Sequence, residues 1–213
     1  MTYDTHVYLG ELLYPVICEI WGMPLSRKRF MHGCVKPDVS SLFFRHPHFY
    51  RISKKFIFRK IKQLTKKRLH GEKKNKKISE DLGIILHYIA DFFTSVHNLV
   101  PNKLQEHMAF EKQLRSDFST GVTKDMIREY FVNCRDFSSS PADIKEHLMR
   151  LHKANRCRTG STRYDIHEIL TACAGAAAGI MNALTADALA VSALPYPSDS
   201  AVRENSYLEI LSR

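Results

Sequence analysis

Histidines and carboxylates spaced four residues apart are the groups in this sequence best suited to chemistry. His87 and Asp91 fall on one face of a predicted helix, and the other residues between 82 and 93 are almost all apolar. An ionised Asp91 buried there alone would be very costly, so it needs a strong partner. A metal ion shared with His87 is the most economical partner.

His107 and Glu111 repeat this spacing on the next predicted helix, and His97 lies between the two pairs. A single His-x-x-x-Asp pair is more often a hydrogen bond on a helix face, and Asp91 could instead pair with a buried arginine. Two such pairs on successive helices favour metal, because helical bundles hold metals with imidazoles and carboxylates on facing helices. Nitrogen and oxygen ligands without thiolate suit zinc in an open, catalytic site.

The elements that must position these pairs are predicted to be helices throughout. Apolar residues recur at helical spacing, for example from Leu9 to Ile20, and no stretch alternates as a strand would. Ser79 and Ser140 are expected to cap two helices at their N-termini. The predicted helices cover residues 9–20, 49–69, 79–96, 101–118, 124–134, 141–157 and 164–194. We therefore expect an all-α fold, a single-domain multi-helix bundle over residues 1–194.

The last predicted helix is rich in alanine, and residues 169–186 carry no charge. This length is near the lower limit for a membrane span, but alanine and glycine insert poorly and pack closely against other helices. We predict the central helix of the bundle and no transmembrane span. Pro195 and Pro197 should end it, so residues 195–213 are expected to form a flexible C-terminal tail.

The stretch from residue 51 to residue 77 contains 13 lysines and arginines and one acid, Glu72. One interpretation is a basic amphipathic helix that lies on anionic lipid. The other is a solvated outer helix followed by a flexible basic loop, since charge runs alone are weak indicators. Nucleic acid has less support, because no aromatic interleaving accompanies the bases. The predicted membrane- or anion-binding residues are Lys54, Lys55, Arg59 and Lys62.

Composition excludes several broad classes of protein. The chain has 213 residues, of which 44% are hydrophobic and 25% charged, so bulk disorder is ruled out. Its formal charge of +10 favours an anionic partner. Five cysteines without a CxxC motif indicate neither a disulfide framework nor a cysteine-built zinc site. The first residues lack the basic region of a signal peptide, so we expect a cytoplasmic protein that could lie on a membrane surface.

The order of these motifs resembles that of the zinc-dependent phospholipase C family, whose superfamily also includes fungal and plant zinc nucleases. The family pattern is Thr-His, Pro-Asp followed by a His, His-x-x-x-Asp with a His six residues later, and His-x-x-x-Glu. This sequence has the same elements in order at Thr5-His6, Pro37-Asp38, His46 or His48, His87 with Asp91, His97, and His107 with Glu111. The resemblance implies an all-helical fold with zinc ions, two or three here.

The resemblance also implies how the ligands are shared. It assigns the first zinc to Asp38, to His46 or His48, to His87 and to Asp91; we prefer His48, because the His-Phe pair looks closer to small family members. It assigns the second to His97, His107 and Glu111, and a third to His6 and Asp91. Secreted members complete this third site with an N-terminal Trp, which this sequence lacks. In the family, the carboxylate corresponding to Asp38 is the proposed activator of the attacking water.

These observations predict an enzyme, a zinc-dependent phosphodiester hydrolase of the phospholipase C type. Its expected substrate is a phospholipid or a related phosphodiester, cleaved by a metal-activated water. One alternative is a zinc-dependent nuclease, which would use the same ligands on nucleic acid. Another is a non-catalytic, membrane-peripheral helical protein that binds zinc. The remaining histidines fit no ligand pattern and are expected at surface or core positions: His32, His70, His147, His152 and His167.

Overall fold

The computed structural model describes residues 1–67, 72–98, 104–155 and 161–192. These described residues form nine α-helices and one 3-10 turn, and they contain no strand. The helices are α1 (Tyr3–Trp21), α2 (Arg27–Val39), α3 (Leu42–Arg45), α4 (Tyr50–Leu64), α5 (Glu72–Phe92), α6 (Leu104–Gly121), α7 (Lys124–Asn133), α8 (Pro141–Asn155) and α9 (Thr162–Ser192). The 3-10 turn, Ser95–His97, lies between α5 and α6. The all-α prediction is confirmed.

The core forms around α5 and α9. Helix α9 packs against α5, α6, α7 and α8, while α5 also packs against α2 and α4. The stretch Thr162–Ala186 of α9 is long and apolar enough to cross a membrane, but 83% of its most apolar window is buried inside the protein. Its small alanine side chains let the neighbouring helices approach closely, as expected for the central helix of a bundle.

Helix α2 was not predicted from the sequence, and it is the element that carries Asp38. Its sequence is basic and contains Gly33 and Pro37, so its apolar period is weak. It lies directly on α5 through two glycines. A Cβ added at Gly33 would stand 2.3 Å from the carbonyl oxygen of Glu80, and one at Gly83 would stand 2.3 Å from that of Phe30. Only glycine allows this contact between the two backbones.

Several predicted helix boundaries are wrong. Helix α4 ends at Leu64 and not at residue 69. The predicted cap Ser79 lies inside α5, where its hydroxyl donates to the carbonyl of Asn75 and accepts from the amide of Ser26. Helix α5 ends at Phe92, and residues 95–97 form the separate 3-10 turn. The cap at Ser140 is confirmed, because its hydroxyl accepts from the amides of the first turn of α8. The predicted tail, 195–213, lies outside the described residues.

Candidate metal centre

Asp91 is the centre of the predicted cluster. It projects from α5 one turn beyond His87, and both side chains are fully buried. His6 reaches the same point from α1. Its Nε2 lies 3.3 Å from Asp91 Oδ1, and its ring stacks on that of His87 with the centroids 3.7 Å apart. Two helices distant in the sequence therefore bring two imidazoles to one carboxylate.

Asp38 and His48 close the second side of the cluster. Asp38 lies near the end of α2, and its Oδ1 is 3.6 Å from His87 Nε2 and 3.5 Å from His48 Nδ1. His48 precedes α4, and its Nδ1 is 2.9 Å from Asp91 Oδ2. His46 instead stacks on Phe56 with the ring centroids 3.8 Å apart. Of the two alternatives from the sequence, the structure brings only His48 to the cluster.

The third side is formed by the 3-10 turn and α6. His97 Nε2 lies 3.2 Å from Glu111 Oε1 and 3.7 Å from Asp91 Oδ1. His107 Nε2 lies 3.2 Å from the same Glu111 oxygen, one helical turn away. His107 is the most exposed of these side chains, at 27%. The cluster therefore opens towards solvent beside α6.

All eight predicted ligands fall into three groups, two of which share His87. Within each group, one nitrogen or oxygen per residue lies within 4.8 Å of the others, close enough to share one ion. The groups are His6 with His87 and Asp91, Asp38 with His48 and His87, and His97 with His107 and Glu111. The first two groups share His87, and Asp91 of the first group lies 3.7 Å from His97 of the third. The arrangement is therefore suited to several ions side by side.

The cluster also contains many buried polar atoms without a hydrogen-bond partner. They are both ring nitrogens of His6, Asp38 Oδ2, His48 Nε2, His87 Nε2, Asp91 Oδ2 and His97 Nδ1. Each such atom costs free energy, and native proteins leave few of them unpaired. Imidazole nitrogens and carboxylate oxygens are the donors that zinc prefers, so the residues fit zinc.

The protonation of the histidines favours metal binding. Burial and the neighbouring His6 hold the pKa of His87 well below its usual range, so this imidazole is neutral at pH 7. Its Nδ1 lies 2.7 Å from the carbonyl of Cys34, and a carbonyl can only accept. The lone pair of His87 is therefore on Nε2, which faces the carboxylates. Burial likewise lowers the pKa of His97.

The three carboxylates differ in their electrostatic environment. Burial opposes ionisation of Asp91, but nearby positive charge, first that of the Met1 amine, holds its pKa well below the usual range. Glu111 follows the same pattern: burial opposes its ionisation, but hydrogen bonds and charge from His97 and the Met1 amine together outweigh burial and lower its pKa to about 2. Burial raises the pKa of Asp38, and the charge of Asp91 adds to this effect. Asp38 is therefore the most basic carboxylate of the three.

Sequence reasoning missed the amine of Met1. Its nitrogen lies 2.5 Å from Asp91 Oδ1, 2.8 Å from His97 Nε2 and 3.1 Å from Glu111 Oε1. Burial lowers the pKa of this amine, but the two carboxylates outweigh burial and raise it. The Thr5-His6 motif was the available signal, because it puts the preceding residues within reach of the cluster.

Sequence reasoning also missed the side chains that hold the 3-10 turn. Asp165 of α9 accepts from the Ser95 amide at 2.7 Å and from its hydroxyl at 2.5 Å. His152 of α8 lies 3.0 Å from the amide oxygen of Asn98, and its ring stacks on Tyr50. These contacts orient the turn that presents His97. No local spacing in the sequence connects residues 95 and 165.

Three of the four predicted anion-binding residues form one exposed stripe along α4, namely Lys55, Arg59 and Lys62. Lys54 lies off this stripe. It is half-buried, and its ammonium stands 5.0 Å from the centre of the Tyr50 ring.

Comparison with known proteins identifies the family. The family model described as zinc dependent phospholipase C matches residues 5–156, which include all eight candidate ligands and most of the chain. No curated protein and no solved structure matches the chain. The matched span, the all-α fold and the converging histidines and carboxylates agree, and the chain belongs to the zinc-dependent phospholipase C family.

Proposed function

We propose that this protein is a zinc-dependent phosphodiester hydrolase that cleaves phospholipids between the glycerol oxygen and phosphorus. The observation that carries the proposal is the convergence of eight imidazoles and carboxylates, Asp91 among them, in three neighbouring groups, with buried nitrogen and oxygen atoms left unpaired. The family match supports a phospholipid substrate. The formal charge of +10 adds support, because it attracts anionic lipid.

The proposed ligand sets are those that the resemblance implies, and they use the same eight residues as the three groups, with Asp91 shared between two sites. Asp38, His48, His87 and Asp91 would hold one zinc, and His97, His107 and Glu111 a second. His6 and Asp91 would hold a third, beside the amine of Met1. Bound zinc would lower the pKa of a water and neutralise the charge of the phosphodiester.

Asp38 is the proposed base. Its Oδ2 is buried and has no hydrogen-bond partner, and its raised pKa makes it a better proton acceptor than Asp91 or Glu111. The oxygen of the attacking water bonds to phosphorus while its proton passes to Asp38. The bond from phosphorus to the glycerol oxygen breaks, and that oxygen takes up a proton from solvent, to which Asp38 releases the proton it accepted. The products are diacylglycerol and a phosphorylated head group.

The first test is metal content by mass spectrometry on protein purified without a metal-affinity tag. We expect two or three zinc ions per chain. Protein that contains no zinc and takes none up when zinc is added would contradict the proposed site.

The second test is a comparison of substrates for the zinc-loaded protein. We expect release of diacylglycerol from phosphatidylcholine and no cleavage of single-stranded DNA or RNA. The opposite pattern would make the protein a nuclease. Zinc binding without hydrolysis of either substrate would make it a non-catalytic zinc protein, since the same ligands serve all three functions.

A further inference from the structure

Five exposed apolar side chains lie in one continuous stretch between the end of α2 and the first turn of α4. We call them the apolar rim: Val39 (65% exposed), Phe43 (50%), Phe44 (83%), Phe49 (44%) and Ile52 (61%). Single exposed apolar residues are ordinary on protein surfaces, but a contiguous exposed patch marks an interaction site. Three of the five are phenylalanines, which contribute the largest apolar area per residue.

The apolar rim borders the metal cluster. Val39 directly follows Asp38, and the Phe43 ring lies 5.5 Å from the ring of His48. The Phe49 ring lies 5.9 Å from the ring of His97. A surface that covers the rim would therefore also cover the opening of the cluster.

Apolar residues also border the cluster on the side of α6. Leu104 and Met108 are 75% and 61% exposed. By helical spacing they share a face with His107 and Glu111, the candidate ligands on that helix. The cluster thus has exposed apolar groups near Asp38 and also near His107.

The charges around the apolar rim have one sign. Arg45 and Arg51 are exposed within it, and Arg51 begins the basic stripe that continues along α4 through Lys55 and Arg59. The sequence contains no acid between Asp38 and Glu72. A surface this basic is complementary to an anionic partner.

We propose that the apolar rim and the basic stripe dock this protein onto an anionic phospholipid bilayer, with the opening of the metal cluster facing the lipid head groups. The proposal rests on the proposed function, because a phospholipase must meet its substrate at such a surface. Phenylalanine side chains bury favourably at the boundary between head groups and acyl chains, and lysines and arginines are attracted to anionic lipid.

The charge pattern favours a bilayer over a second copy of the chain. In a symmetric dimer the same patch faces itself, so the two basic stripes would repel each other. A bilayer with anionic lipid instead provides both binding partners at one surface. Its acyl chains can bury the phenylalanines, and its head groups supply negative charge for the basic stripe.

The test measures partition of the zinc-loaded protein into vesicles. The vesicles contain a phosphonate analogue of phosphatidylcholine, in which carbon replaces the oxygen released by hydrolysis, with or without phosphatidic acid. We expect binding that needs the phosphatidic acid and weakens as salt is raised, because salt screens the charges. No binding to the anionic vesicles would overturn the proposal.

Two variants separate the contributions of charge and of apolar contact. Arg51→Gln/Lys55→Gln/Arg59→Gln should lower the partition coefficient about a hundredfold, since each base contributes roughly fivefold. Phe44→Ser/Ile52→Ser should lower it at least tenfold and leave its salt dependence in place. The control is Met126→Ser/Val132→Ser, which removes two exposed apolar side chains from α7, a helix without candidate ligands, and should bind like the wild type. Equal binding by all four proteins would overturn the proposal.

Turnover separates this proposal from the proposed function. The ratio of turnover on vesicles to turnover on monomeric dihexanoylphosphatidylcholine should fall at least tenfold in both rim and stripe variants. Binding that depends on the apolar rim, without turnover on either substrate, would contradict the proposed hydrolase function but support the docking proposal. A wild-type dimer that Phe44→Ser converts to a monomer would overturn the docking and make the rim an interface between copies.

Discussion

At the scale of the residue, the chemistry of this protein depends on one buried carboxylate. Asp91 is fully buried, and its oxygens lie within 4 Å of His6, His48, His87 and His97. A single ionised carboxylate in that position needs several positive or metal-bound neighbours to offset its desolvation. Substitutions of Asp91 and of Asp38 should therefore have different consequences.

Asp91→Asn should lose zinc and activity together, because Asp91 is the carboxylate shared between two of the proposed zinc sites. Asp38→Asn should lower kcat by at least a hundredfold while reducing zinc content by at most one ion, since Asp38 is the proposed base. Zinc content by mass spectrometry and kcat on a monomeric phospholipid check both. Unchanged zinc content in the Asp91→Asn protein would contradict the bridging role. Equal losses of zinc and of kcat in the two variants would mean that Asp38 acts only as a zinc ligand and not as the base.

Asp165 is expected to be a positioning residue for His97. Asp165→Ala leaves the Ser95 amide buried without an acceptor, which costs about 1–3 kcal/mol, and should weaken zinc binding about 10- to 100-fold. Asp165→Asn is the matched control, because its amide can accept from the Ser95 N–H and donate to the hydroxyl. Zinc affinity by competition with a chelating dye checks the pair. Equal affinity in both variants would contradict the positioning role.

Asp165 also has a predicted effect on the pH dependence of stability. Burial raises its pKa to about 6 from 3.8. A raised pKa means that the folded protein holds this proton more tightly than the unfolded chain, so ionisation costs stability as pH rises through this window. The wild type should therefore lose stability relative to Asp165→Asn between these two pH values. Denaturant unfolding midpoints of the wild type and of Asp165→Asn, measured at pH 4 and at pH 7, check the direction of this change.

At the scale of the element, the contact between α2 and α5 decides where Asp38 lies. Asp38 and His87 are on different helices, and the close approach at Gly33 and Gly83 brings them together. Helix α2 was missed because its apolar residues do not recur clearly at helical spacing. Ridges of larger side chains at the same positions would hold the two helices several ångströms further apart.

Gly83→Ala should destabilise the fold by about 1–3 kcal/mol or more, because the added methyl overlaps backbone atoms that cannot rotate away. It should also lower zinc content, since Asp38 moves with α2. Gly121→Ala is the control, because nothing lies within 4 Å of a Cβ added there. Thermal unfolding and metal analysis check both variants. A Gly83→Ala protein with wild-type stability would contradict the close approach.

At the scale of the whole molecule, the candidate ligands connect elements that are far apart in the sequence. They come from α1, α2, α5 and α6, from the 3-10 turn and from the segment before α4. A metal bound by all of these elements stabilises the folded chain as a unit, because the unfolded chain cannot assemble the same ligands. The family membership of the chain makes zinc the expected metal.

Removal of zinc by a chelator should therefore lower the melting temperature. At zinc a hundredfold above its Kd, binding contributes about 2.7 kcal/mol, and for a chain of this size each kcal/mol corresponds to roughly 2–4 °C. We expect a loss of about 5–10 °C that zinc restores and magnesium does not, since magnesium prefers oxygen ligands. An unchanged melting temperature after chelation would contradict a metal-linked fold.

The helical class and the ligand pairs on α5 and α6 could be predicted from the sequence, because both depend on spacings within one helix. His87 with Asp91, and His107 with Glu111, are neighbours wherever their helices lie. The choice of His48 over His46, the position of the Met1 amine and the contact of Asp165 with Ser95 depend on the packing of distant segments. Packing is cooperative, and the touching glycines of α2 and α5 show that one backbone contact can bring Asp38 to the candidate site. Local spacing is thus enough to identify the two candidate pairs on α5 and α6, while only the packed helices bring all eight candidate ligands together.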